Sequence, residues 1–411
     1  MKRIFCLLII AFSLCSTTIA GGFFTNRFFE YKICIPADVS NNSFAISDFL
    51  QKNVVIDLKK LADDVPSSGF GGIVATNPNM QVNLKAGPVF VGIESGFDVY
   101  SKLGISKSLF ELIGYGNEDK DNVDIEGNFF FDSFQYNQVN VGIKFKRFSI
   151  NVTPGLFFPI ATTGGNKISA SFSNDKENGS ISFKANALVD TYAITDIQKI
   201  IKGGNYGDII GEFKFSAGFD VGGGFSMPLS NRLTVSATAR LPLVPGTLHS
   251  KQRIKYDVNY SVNIMDLGTG SGSGSKPSTP NFDVNFGAAE ATEYKVRRPM
   301  FIMGYLDFYP LFGTNLLSLR AGIGAGVRHP FAADAIGYFN YYTGATVNLI
   351  DVLKVTASMS YMDRIFKNQI ELAINARIIE LDIGASLQSA NFLKSWQGAG
   401  FGAYVNFAMG F

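Results

Sequence analysis

GFGAYVNFAMGF, residues Gly400 to Phe411, alternates large apolar side chains with small or polar ones. Read at a period of two, Phe401, Ala403, Val405, Phe407, Met409 and Phe411 share one face of a strand; Gly402, Tyr404, Asn406 and Gly410 share the other. A segment left to fray in water has no use for such a face. The question is which non-aqueous surface it meets.

Composition narrows the answer. Of 411 residues only 17% are charged, Gly numbers 43, and Phe at 38 far exceeds Trp at 1. The chain is too apolar for disorder and lacks the long apolar runs of helical membrane proteins. A formal charge of +2 with no basic block gives nucleic-acid binding no support. The first twenty residues read as a leader: Lys2 and Arg3, an apolar stretch from Ile4 to Leu14, and Thr18-Ile19-Ala20 as a small-residue cleavage site. An uncleaved anchor is the alternative, but eleven apolar residues, Ile4 to Leu14, are short for a bilayer. Lipoprotein processing at Cys15 is disfavoured by the Phe12-Ser13-Leu14 that precedes it. Cleavage near Ala20 leaves one cysteine, Cys34, and so no internal disulfide.

The alternation recurs along the chain. In EFKFSAGFDVGGGF (212–225), Phe213, Phe215, Phe219, Val221 and Phe225 oppose Glu212, Lys214 and Asp220; after PLSN, RLTVSATARLPL repeats the pattern, which makes a hairpin. RIKYDVNYSVNI (253–264), LLSLRAGIGAGVR (316–328), VLKVTASMSYMD (352–363), QIELAINAR (369–377) and IIELDIGASL (378–387) follow the same rule. Less regular candidates lie at 80–100, 124–158, 167–188 and 282–308. Soluble β-sandwiches would turn these apolar faces inward. Strands of 10 to 14 residues with Gly, Ser and Thr opposite the apolar rows instead fit a transmembrane barrel, apolar outside and polar within. The expectation is an all-β antiparallel barrel of about 14 strands, between roughly 12 and 16. The uncharged run from Phe148 to Asn166 holds Pro154 and Pro159, and reads as strand, turn, strand rather than helix.

Residues 1–20 are thus expected to be a leader, 21–79 an N-terminal segment, and 80–411 the barrel. The N-terminal segment carries helical spacing at Leu50, Val54, Ile56, Leu58 and Leu61, as either a periplasmic piece or a plug in the lumen. Short helices are expected at 106–117 and 194–210, at the membrane face or capping the lumen. GTGSGSGSKPSTP (268–280) reads as an external loop. It is not a phosphate loop, because Ser275 precedes Lys276 and Pro277 follows it.

Chemistry is sparse. His249 and His329 fall in different hairpins, His329 at a turn, and no cluster has metal-ligand spacing. The formal Gly-x-Ser-x-Gly at 270–274 lies in a glycine-serine repeat, where such matches arise by chance. No enzyme, cofactor or metal is expected. Charges predicted to face the lumen are Lys85, Glu94, Asp98, Glu212, Lys214, Asp220, Arg240, Arg320, Glu371 and Arg377, either solvated in a pore or paired across a narrow one.

Two resemblances add to this reading. The closing residues Phe401, Val405, Phe407, Met409 and Phe411 resemble the C-terminal signature of bacterial outer-membrane barrels, which implies recognition by barrel-insertion machinery and surrounding outer-membrane lipid. The order NNSFAISDFLQKN, DLKKLADDVP, LFELIGYGN, VNVGIKFK and FDVGGGFSMPLSNRLTVSATARLPL resembles an uncharacterised outer-membrane family of spirochaetes and Bacteroidetes, and is distantly similar to the long-chain fatty-acid transporters. That similarity implies a barrel with an N-terminal hatch and a lateral opening. The family's Asn-Pro-Ala hatch motif is matched only by Asn77-Pro78-Asn79, and no binding residue carries over. Passive transport of a hydrophobic or amphipathic small molecule is the function implied. An apolar ligand would gain about 25 cal/mol per Å² buried. A general porin and a non-transporting adhesion or anchoring barrel are the alternatives.

Overall fold

The computed structural model describes residues 27–44, 57–117, 121–145, 148–164, 166–175, 177, 180–196, 198, 216–263, 281–311, 316–349, 352–362 and 364–411. Among these, twenty strand segments hydrogen-bond into one sheet that closes on itself. β1 (Phe29–Asn41) pairs with β20 (Gly400–Gly410) along its whole length, Glu30 facing Gly410 and Ser40 facing Gly400. Its other edge takes β2 (Phe70–Thr76) and β3 (Asn79–Ala86) end to end, and both lie along β4 (Val89–Ile105). β5 (Asn122–Lys144) follows, and along it run β6 (Ser149–Thr163) and β7 (Asn166–Asp175).

The same end-to-end construction continues. β8 (Ser180–Ala193) and β9 (Gly218–Ser230) succeed one another beside β6 and β7, and pair onward with β11 (Gly246–Asn263) and β10 (Leu233–Val244). β12 (Asn281–Phe286), β13 (Glu290–Val296) and β14 (Met300–Phe308) then line the far edge of β11 and β10. From there β15 (Leu317–Arg328), β16 (Ile336–Leu349), β17 (Leu353–Met362), β18 (Ile365–Asn375) and β19 (Ile379–Ser389) step round to β20. All pairings are antiparallel. Joined end to end, the segments form a closed barrel within the 12 to 16 strands expected from sequence, so among the described residues no strand runs its whole length with a bare edge.

Alternation decides which face is which. On β18, Ile370 is 67% exposed while the next residue, Glu371, is 6% exposed. Ile93, Ile150, Val152, Ile302, Ile323 and Val405 are likewise exposed on the outside, and Tyr136, Phe157, Asp220 and Asn406 are buried within. An outer wall of aliphatic residues over a polar lumen is the surface of a barrel in hydrocarbon. One end has short connections, such as 87–88, 231–232 and 376–378. The other carries the longer ones, including α1 (Leu58–Asp64), α2 (Lys107–Tyr115) and α3 (Phe392–Trp396).

Several expectations change. Residues 29–41 and 70–76 belong to the barrel wall, so the wall begins well before residue 80. Pro36 interrupts the alternation of Ile33, Ile35, Ala37 and Val39, which hid β1 from a pattern search. The run from 148 to 166 is no strand-turn-strand: β6 passes straight through Pro154 and Pro159, with Pro159 at a register shift against β5. The hairpin after β9 turns at Asn231–Arg232, the end of PLSN, because Pro228, Leu229 and Ser230 still belong to β9. β16 was not anticipated, because Tyr338 and Tyr342 on its inner face match Phe339 and Tyr341 on its outer face in bulk. The helix expected at 106–117 is α2. Most of 194–210, and the whole of 268–280, lie outside the described residues.

Candidate functional site

Inward side chains from non-adjacent strands meet inside the barrel. Tyr136 on β5 is the centre of one meeting: its hydroxyl lies 2.8 Å from Asn77 Oδ1 and 2.9 Å from Glu94 Oε1, and Gln138 Nε2 donates to Glu94 Oε2 at 2.8 Å. Above the Tyr136 ring, 4.1 Å from its centroid, sits the guanidinium of Arg298, which comes from the bend between β13 and β14. Arg298 Nη1 donates to Asp220 Oδ2 on β9 at 2.8 Å, and both side chains are 1% exposed. Arg240 on β10 donates through Nε to the Pro299 carbonyl at 3.0 Å, and its guanidinium lies 4.0 Å from the Asp98 carboxylate on β4. The β3–β5 wall is thus tied to the β9–β14 wall by charge, cation–π contact and hydrogen bonds.

A second bar lies nearer the long connections. The segment after β15 reaches across to β5 and β6, where His329 Nε2 lies 3.0 Å from each Asp132 carboxylate oxygen and Nδ1 lies 2.9 Å from Asp334 Oδ2. Thr162 Oγ1 donates to Asp132 Oδ1 at 2.5 Å, and the Arg328 guanidinium stacks 3.5 Å from the Tyr100 ring centroid. Burial alone would lower the imidazole pKa, but hydrogen bonds and charge from Asp132 and Asp334 override it and push His329 up to about 9. Both ring nitrogens therefore carry protons at neutral pH and donate. His329 has φ 46°, in the left-handed region, so the chain turns sharply where the strap leaves the wall.

Between and around the bars the lining is apolar. Phe134, Phe157, Ile194, Leu248 and Val296 pack into one buried cluster with Tyr136, and the rings of Phe134 and Phe157 meet edge-on at 5.9 Å. Ile73, Tyr100, Phe130 and Ile365 form another beside His329. The lumen is layered, apolar patches alternating with ionic bars.

Next to the first bar the wall itself is interrupted. β1 pairs with β3 up to Cys34–Asn79 and resumes with β2 at Asp38–Ala75; residues 35–37 and 76–78 keep register but form no ladder pairs with one another, although 35–37 stay paired with β20 and Thr76 with β4. Pro36 and Pro78 both lie in that gap, and neither has an N–H to offer. On the other side, Phe97 N donates to the Pro78 carbonyl at 2.8 Å, which holds the bend against β4. Asn77, in the gap, is the residue that meets Tyr136.

The structure brings together four of the charges expected to face the lumen: Glu94, Asp98, Asp220 and Arg240. Arg320 pairs with Asp307 through Nε at 2.5 Å and Nη2 at 3.0 Å, elsewhere on the inner wall. Glu371 faces inward on β18 and Lys85 on β3, apart from the bars. Arg377 is an exposed turn residue with φ 68°, not a lining residue, and its carbonyl accepts from Arg27 Nη2 at 3.0 Å. Glu212 and Lys214 lie outside the described residues. In β20, Phe401, Val405 and Met409 point outward with Phe407, and the Phe411 ring stacks on Phe29 at 5.7 Å. Arg298, Tyr136, Asn77, Asp132 and Asp307 were missed. The pair Arg297-Arg298 before Pro299 was the visible signal, an abrupt charge pair between two strands. Among the described residues no group of His, Cys, Asp and Glu is placed to hold a metal ion.

No family model matches the chain, and no curated protein matches it in sequence. Among solved structures it is similar to the toluene transporter TodX of P. putida, with TM-score 0.48 and 8% identity over 95% of this chain and 91% of that one. It is also similar to the toluene transporter TbuX of Ralstonia pickettii, with TM-score 0.43 and 7% identity over 95% and 91%. The translocator domain of the autotransporter NalP from Neisseria meningitidis gives TM-score 0.33 and 8% identity over 100% and 96%.

Proposed function

We propose that the chain is an outer-membrane barrel for passive passage of hydrophobic or amphipathic small molecules, which leave sideways through the wall rather than along an open pore. The observation that carries this reading is the coincidence of the unpaired gap at 35–37 and 76–78 with the first ionic bar. An apolar molecule that displaced part of the packed Phe134, Phe157 and Leu248 cluster would meet the Arg298–Asp220 bar, which an uncharged chain has no means to solvate. Beside it, Asn77 and Pro78 border the gap in the ladder between β1 and the β2–β3 edge, which faces hydrocarbon. A general porin would instead need a water-filled path, against which the two bars argue. Cleavage of residues 1–20 near Ala20 and recognition of β20 by insertion machinery belong to the same proposal. Two residues within the gap supply its test.

Ala37 and Thr76 stand in register across the gap, so A37C/T76C in the intact chain allows a disulfide to close it. In vesicles, uptake of a fluorescent alkanoate should fall several-fold on oxidation and return on reduction. Uptake indifferent to the crosslink rules out lateral exit. Large, steady conductance of the unmodified chain in planar bilayers would establish a porin, and silence in both assays would favour an anchoring or adhesion role.

A further inference from the structure

The helices at the long-connection end do not all stand above the barrel. Outward positions on β18 alternate through Phe366, Asn368, Ile370, Leu372 and Ile374, and α3 lies over the first two. Asn368 Nδ2 donates to Ser395 Oγ at 3.0 Å, and the Phe392 ring meets the Phe366 ring edge-on at 5.5 Å. Phe366 in turn continues an aromatic row on the same outer face, 4.4 Å from Tyr361, which stacks on Tyr341 at 6.0 Å. α3 is therefore folded down against the outside of the wall. Its Leu393 and Trp396 are 69% and 57% exposed, and they point away from the strands that Phe392 and Ser395 grip.

A neighbouring pair of helices behaves alike. Phe70 and Ile105 pair with each other across β2 and β4 at outward positions, and Phe110 of α2 and Phe44 pack onto them. α1 packs on α2 through Ala62 and Val65, and Lys394 Nζ of α3 joins Asp64 of α1 at 2.9 Å. The three helices form a partial collar on the outer wall, carrying Lys59, Lys60, Lys107 and Lys394 interleaved with Asp57, Asp63, Asp64 and Glu111, together with exposed Leu58, Ile113, Leu393 and Trp396.

We propose that this collar is an interfacial anchor: Leu393 and Trp396 enter the outer-leaflet boundary, while the lysines stay at headgroup level. The occupant is lipid because the patch is continuous with the apolar wall. Val39, Phe401 and Leu387 form one row across β1, β20 and β19, all exposed, and Asn368 beneath α3 is the next residue in that row on β18. Aromatic side chains with a polar edge favour that boundary, and an apolar helix face with basic flanks lies along it. Such a collar fixes the depth of the barrel, and with it the depth of the gap at Pro78.

Trp396 is the only tryptophan in the sequence, so the intact chain reports on itself. In phosphatidylcholine vesicles its emission should be blue-shifted, and lipids brominated near the headgroup should quench more of it than lipids brominated near the acyl end. Emission like that of tryptophan in water, quenched by acrylamide and untouched by either brominated lipid, overturns the anchor. W396F/I323W moves the single tryptophan to the middle of the outer wall and should be quenched most by the deep label. If that variant responds and Trp396 does not, the anchor fails and the barrel stands. If neither responds, the membrane-barrel reading on which the anchor rests fails with it.

Discussion

Arg298 and Asp220 are each 1% exposed, and a buried pair of this kind is most sensitive to losing one partner. Arg298→Ala leaves the Asp220 carboxylate alone in the lumen and should destabilise the barrel by about 3–5 kcal/mol, whereas replacing both by apolar residues should recover most of the loss. Urea unfolding of the two variants in detergent, each against the parent, checks this. Equal losses would mean the pair acts through packing on Tyr136 rather than through charge. The same residues show where sequence reading stops. Asp220 and Arg240 were legible because each sits alone among small or apolar neighbours on an alternating strand. That Asp220 pairs with a residue 78 positions away depends on how the barrel closes, which no local pattern encodes.

At the level of elements, the strap after β15 is a charged latch. A raised imidazole pKa means the folded state holds the proton more tightly than the unfolded chain. The latch is fully present below the ordinary value of 6.5 and is lost as pH rises through about 9. The difference corresponds to on the order of 3 kcal/mol. Thermal unfolding in detergent should therefore fall between neutral pH and pH about 10 in the parent, and His329→Gln should remove much of that slope. An unchanged slope in the variant would place the titration elsewhere. β1 makes a different point. Deleting residues 29–41 takes away the partner of β20, of β2 and of β3 at once, so no folded species resistant to detergent should survive on unheated gels. Such a species, if seen, would mean that β20 can close on β3 or β4. Strands were legible where one face is aliphatic and the other small, as in β15, β19 and β20. They were hidden where proline enters, as in β1 and β6, or where aromatic rings occupy both faces, as in β16.

For the whole molecule, one wall does two jobs, and alternation keeps them apart. The outer residues meet lipid and demand nothing specific of one another. The inner residues are tied to one another within the lumen, so the contacts that line it also hold the wall against collapse. The closing pair of strands sets the order of events. Glu30 and Gly410 face each other although roughly 380 residues separate them, and bringing such distant ends together costs about 5 kcal/mol of chain entropy. β1 is made early and keeps one edge unmatched until β20 has followed. Closure of this wall is therefore timed by β20: everything made before it is a curled ribbon, and a ribbon with two bare edges exposes unpaired backbone until the ends meet.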